Sequence, residues 1–148
     1  MTDILFIKTS SLGDVIHHMP AVTEARKALA LARPNAQLAW LVEEAYAPLV
    51  RLHPGVDEVI PVAWRRWRRS LYAPATLREI AGSLGNIRAR RYDDIVDSQG
   101  LMRSAAIARL AQGRRHGYDK NSIREPLASM LYDVRYRVSR SQIGRAHV

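Results

Sequence analysis

The chain of 148 residues contains no cysteine. Disulfides and thiolate-held metals are therefore excluded, and an intracellular life is permitted. No stretch approaches the ~20 consecutive apolar residues that a membrane-spanning helix needs. The start, Met1-Thr2-Asp3-Ile4-Leu5-Phe6-Ile7-Lys8, has an apolar run too short for a signal-peptide core, and Asp3 stands where a basic leader belongs. The expectation is a soluble, cytoplasmic protein. Two phosphate-binding signatures are missing as well. There is no GxGxxG dinucleotide fingerprint, and no P-loop with its second glycine and Gly-Lys-Ser/Thr ending. Internal repeats, linkers and low-complexity segments are absent.

What is present is a foldable and basic chain. The hydrophobic fraction of 47% suits a packed core. The length fits one domain. The net charge of +9, from 23 basic and 14 acidic residues, favours anionic partners. Nucleic acid, anionic lipid and a phosphorylated substrate all qualify, and charge alone does not choose among them.

Hydrophobic patterning predicts strands at residues 3–8, 37–43, 56–62 and 94–97, a strand end at His116-Gly117-Tyr118 and a strand-like piece at 134–138. Helices are expected at 14–31, kinked or restarted by Pro20, and at 47–52, 74–90, 101–111 and 124–131. Strands alternating with helices imply an α/β fold: five or six mainly parallel strands with helices on both faces. In such sheets ligands bind beyond the carboxyl ends of the strands. Asp14 and Gln99, each just after a strand, are therefore expected on one edge. Residues 141–148 show no periodicity and read as a truncated or non-native tail.

The first strand feeds Lys8-Thr9-Ser10-Ser11-Leu12-Gly13-Asp14, whose small residues let a substrate approach the backbone. Asp14 has two readings. It caps the helix, or it acts as a general base in a cleft; these residues alone leave both open. His17 and His18 point about 100° apart on a helix and do not converge on a metal. Trp64-Arg65-Arg66-Trp67-Arg68-Arg69 is the densest charge cluster. It is a solvated run, a helix start, or a recognition surface in which arginine forks meet phosphate and carboxylate and tryptophan suits a membrane–water boundary. Asp97, Ser98 and Gln99 end the fourth strand, with Ser98 also a candidate cap. Glu43-Glu44 ends the second strand, where an acidic residue in nucleotide folds meets a ribose, a weak signal without the glycine fingerprint.

Several blocks together resemble the heptosyltransferase I family of the lipopolysaccharide inner core. They are Ile7-Lys8-Thr9-Ser10-Ser11-Leu12-Gly13-Asp14-Val15, Trp40-Leu41-Val42-Glu43-Glu44, Val59-Ile60-Pro61-Val62-Ala63, Arg65-Arg66-Trp67-Arg68, Asp97-Ser98-Gln99-Gly100-Leu101, His116-Gly117 and Arg124-Glu125-Pro126-Leu127-Ala128-Ser129. They fall in the family's order at similar spacing, over roughly residues 3–138. The resemblance implies the GT-B architecture, two Rossmann-like domains facing across a cleft. It implies transfer of heptose from ADP-heptose to the first Kdo of Kdo2-lipid A with inversion, at the cytoplasmic face of the inner membrane, with no cofactor and no metal. Asp14 falls on the family's catalytic base. Ser10, Ser11 and Gly13 would line the same loop. Arg65, Arg66, Arg68 and Arg124 would meet acceptor phosphate and carboxylate groups, and Gln99 would lie near the acceptor.

Family members are longer, and a second domain supplies most donor contacts. Residues 1–140 are thus expected to form the acceptor-binding domain, with the donor-binding domain absent and the chain inactive by itself. The alternative is a non-catalytic basic module for anionic glycolipid or nucleic acid. The ordered blocks favour the transferase, for which no nucleic-acid partner is expected.

Overall fold

The computed structural model describes residues 3–118 and 125–136. Its elements run β1 (Asp3–Ile7), α1 (Leu12–Ala32), β2 (Gln37–Glu43), a 3-10 turn (Glu44–Tyr46) leading into α2 (Ala47–Val50), β3 (Glu58–Val62), α3 (Trp64–Trp67) and α4 (Pro74–Ala89). Then come β4 (Arg91–Asp97), α5 (Met102–Leu110), β5 (Gln112–Tyr118), a second 3-10 segment (Pro126–Leu131) and β6 (Val134–Tyr136). The six strands form one sheet in the order β3-β2-β1-β4-β5-β6. Every neighbouring pair is parallel.

Alternation along the strands supplies both layers. Leu5, Ile7, Ala39, Leu41 and Ile95 face one side, where Ile80, Leu84 and Ile87 of α4 and Ile107 and Ala108 of α5 cover them. Phe6, Leu38, Trp40 and Val42 face the other, under Val15, Val22 and Leu29 of α1 and Ala47 and Val50 of α2. β1 and β2 are buried on both faces, so they read as continuous apolar runs. α1 presents only a narrow line, Val15, Val22 and Leu29, at seven-residue spacing.

The expected α/β sheet of five or six mainly parallel strands with helices on both faces is present, with six strands, all parallel, and with differences in detail. Pro20 lies inside an uninterrupted α1. β5 is a full strand, although its sequence is polar; neighbours pair its side chains instead. His116 Nε2 meets Asp94 Oδ1 at 2.8 Å, and Arg115 meets Asp133 at 3.0 Å. At Gly117 an added Cβ would lie 2.3 Å from the Tyr132 ring, so only glycine fits there. The expected α-helix over 124–131 is a 3-10 segment over Pro126–Leu131, opening on a proline that fixes φ. Residues 137–148, including the tail read from sequence, lie outside the described residues.

The order of strands positions the site. The chain builds outward from β1 through β2 to β3, then returns to place β4 on the other side of β1. That reversal makes a switch point between β1 and β4, where open parallel sheets leave a crevice at the carboxyl edge.

Candidate functional site

The loops after β1 and β4 flank this crevice and are laced together. Ser98 N–H donates to Ile7 O at 3.1 Å and Thr9 N–H to Gln99 Oε1 at 3.3 Å. Lys8 Nζ donates to Ser98 O at 3.2 Å. Thr9 O accepts in turn from Glu43 N–H at 3.1 Å, so the end of β2 joins the same network. Asp14, half-buried in the first turn of α1, accepts from Ser11 N–H at 3.2 Å and Ser11 Oγ at 3.3 Å through Oδ2. This is the backbone half of a capping box. The cap contact does not exclude basicity, because a carboxylate has two oxygens with about four lone-pair sites.

Asp97 is a buried hub rather than a cleft wall, only 2% exposed. Its Oδ1 accepts from Gln99 N–H at 2.9 Å and Gly100 N–H at 3.3 Å, and Gly100 adopts φ 71° to complete the turn. Its Oδ2 accepts from Ser104 Oγ at 2.9 Å and from the Tyr132 hydroxyl. Burial pushes the carboxyl's pKa up, and these four hydrogen bonds oppose the shift. The turn delivers the Gln99 carboxamide to Thr9. Gln99, 5% exposed, thus supports the loop from beneath.

Beside the crevice lies a groove of about 480 Å³. Thr9, Ser10 and Glu43 form its end at the sheet edge, α3 one wall, and α4 with α5 the rest. Its floor is apolar: Val62, Trp67, Ile80, Leu84, Ile107 and Leu110. Its charged rim carries Arg65 of α3, Arg68 just after it and Arg103 from α5. Arg65 lies 5.4 Å from the Tyr46 ring centre, and Arg103 lies 5.9 Å from that of Trp64. Glu43, 3% exposed, holds α3 in place by accepting from Trp64 N–H at 3.2 Å and Arg65 N–H at 3.0 Å.

The structure thus gathers Ser10, Arg65 and Arg68 into one groove. Ser11, Gly13 and Asp14 sit at the same sheet edge but outside its lining. Arg66 is turned elsewhere: its guanidinium is shared between Glu44, at 3.1 Å, and Glu79, at 2.8 Å. Those carboxylates hold its pKa well above the usual arginine value. Arg124 lies outside the described residues. His17 is exposed, while His18 packs edge-on to Phe6 and Trp40 at 5.5 and 5.0 Å. No group of three or more metal-capable side chains occurs among the described residues. Sequence reasoning missed Arg103 and the capping role of Glu43. One signal for Arg103 was available, since a cation in the first turn of a helix opposes the macrodipole.

A Rossmann-like sheet with a crevice at the β1/β4 switch point is the architecture of one domain of a GT-B glycosyltransferase as well as of other proteins, and the comparisons select that fold. The model of glycosyltransferase family 9 (heptosyltransferase) matches residues 83–146. Lipopolysaccharide heptosyltransferase 1 of Salmonella typhimurium is 42% identical over 94% of this chain, and that of Escherichia coli 41% over the same share. The solved structure of E. coli heptosyltransferase WaaC with ADP-2-deoxy-2-fluoro heptose superposes with a TM-score of 0.88 at 39% identity, over 99% of this chain and 46% of that one. The chain is similar over nearly its whole length to the lipopolysaccharide heptosyltransferases 1. It spans about 43% of the length of these curated relatives.

Proposed function

We propose that this chain is the N-terminal, acceptor-binding part of a lipopolysaccharide heptosyltransferase I. The whole enzyme transfers heptose from ADP-heptose to the first Kdo of Kdo2-lipid A, at the cytoplasmic face of the inner membrane. The observation that carries this reading is 42% identity over 94% of the chain to a protein of that name. In the reaction Asp14 takes the proton from the acceptor hydroxyl. The oxygen attacks the anomeric carbon of heptose from the face opposite ADP, the bond to the diphosphate breaks, and configuration inverts. Ser10, Ser11 and Gly13 border the attacking hydroxyl. Arg65 and Arg68 hold acceptor anions, with Arg124 a further candidate, and Gln99 keeps the loop in place.

The test is Asp14→Asn in the full-length enzyme. Asparagine keeps the shape and caps helices well, but cannot act as a base. Turnover should fall by at least about 10²-fold with acceptor affinity little changed. Near-wild-type turnover would return Asp14 to a capping role.

A further inference from the structure

The groove has charge on two walls, and sequence reasoning accounted for only one of them. Arg65 lies in α3 and Arg68 at its C-terminal cap. Arg103 enters from α5, which packs on the sheet independently of α3, and reaches the ring of Trp64. We propose that Arg103 is an acceptor-binding residue, which with Arg65 and Arg68 forms a two-walled guanidinium clamp on one oxyanion of the acceptor. This rests on the reading of the groove as the acceptor site.

Five observations support it. First, Arg26, Arg33, Arg66, Arg90 and Arg115 each pair with a carboxylate, whereas Arg103 forms no such ion pair among the described residues. Second, Glu43, the only carboxylate among the described residues that line the groove, already accepts two backbone N–H groups of α3. The rim therefore sets three guanidinium groups against one occupied carboxylate. Third, the Arg103 guanidinium lies 5.9 Å from the ring centre of the exposed Trp64 indole, within cation–π range, so it sits beside α3 at the groove rim. Fourth, the apolar floor lowers the local dielectric and strengthens any guanidinium–oxyanion pair made above it. Arg103 also stands in the first turn of α5, where a cation is disfavoured by the helix and a bound anion relieves that cost. Carboxylate and phosphate both match the fork.

Calorimetric titration of the chain with two soluble probes tests the clamp and separates the two anions. One probe is Kdo disaccharide, which carries carboxylates only; the other is glucosamine disaccharide bisphosphate, which carries phosphates only. The probe that binds identifies the oxyanion. For that probe Arg103→Gln should weaken affinity about tenfold or more, as loss of a charge-assisted hydrogen bond does. Arg103→Lys should weaken it less, since charge remains while the fork is lost. Arg109→Gln removes the same charge from the same helix, but outside the groove, and should change nothing. The clamp is overturned if Arg103→Gln binds like wild type, or if Arg109→Gln loses as much. If Arg65→Gln and Arg68→Gln abolish binding while Arg103→Gln does not, the acceptor groove stands and the clamp falls. If neither probe binds the wild-type chain, both readings fall.

Discussion

Protonation of His18 is opposed by its surroundings. The ring lies between Phe6 and Trp40, and its Nε2 is buried with no hydrogen-bond partner among the described residues. Burial, and then the charge of Lys8, lower its pKa from 6.5 to about 4. The unfolded chain therefore binds a proton between those values that the folded chain refuses. Stability contributed by neutral His18 is complete above pH 6.5 and is lost as pH falls toward 4. Between pH 7 and pH 5 the loss should be about 2 kcal/mol. Asp97 works in the other direction. Its raised pKa means that stability falls as pH rises from the ordinary carboxylate value through the folded one. Urea unfolding of His18→Phe at both pH values should show the acid-side loss gone, whatever the substitution does to absolute stability. An unchanged slope would mean that another group carries the acid sensitivity. The sequence showed only that His17 and His18 do not converge on a metal; the burial of His18 depends on Phe6 and Trp40, which only the fold brings to it. The same distinction separates Arg65 and Arg68 from Arg66. All belong to one basic run in the sequence, but a short helix turns Arg66 toward Glu44 and Glu79.

Elements whose burial is regular were readable, and elements held by specific partners were not. β1 and β2 announced themselves as apolar runs. α4 did so through Ile80, Leu84 and Ile87, which meet the sheet at helical spacing. β5 could not be delimited, because its pattern Gln-Gly-Arg-Arg-His-Gly-Tyr carries no alternation and its place depends on Asp94 and Asp133. α3 is four residues long, below any detectable period, and exists because Glu43 reaches across from the end of β2 to accept its first N–H groups. That dependence is measurable. Glu43→Ala removes both acceptors from a buried position and should cost about 1–3 kcal/mol. Glu43→Gln keeps one acceptor oxygen and should cost less. Trp67 fluorescence during urea unfolding reports the packing of α3 directly, since this indole belongs to the core beneath it. Equal stability of the alanine and glutamine variants would show that α3 is held by Trp67 alone.

At the scale of the molecule, one parallel sheet brings the candidate base, the loop supports and the arginine helix to a single edge. The sequence predicted that Asp14 and Gln99 would share it, because in an all-parallel sheet every strand hands its following loop to the same side. The network that joins those loops, from Asp97 through Gln99 and Thr9 to Glu43 and α3, was not readable, since beyond the local turn from Asp97 to Gln99 each of its links joins segments distant in sequence. On the function proposed above, all of these parts address an acceptor. Among the described residues the groove offers arginine and apolar surface, but no second face to hold a nucleotide sugar against Asp14. Positioning two reactants contributes several orders of magnitude to a bimolecular transfer. A chain that holds only one of them should therefore bind without turning over. The expected outcome is no ADP release from ADP-heptose and Kdo2-lipid A by the 148-residue chain, together with acceptor binding that weakens as salt rises, because exposed ion pairs are screened within about 8 Å at physiological ionic strength. Clear turnover by the purified chain would mean that Asp14 and its loop can orient the donor unaided. In that case the division of labour proposed for the whole enzyme would have to be redrawn around the switch point between β1 and β4.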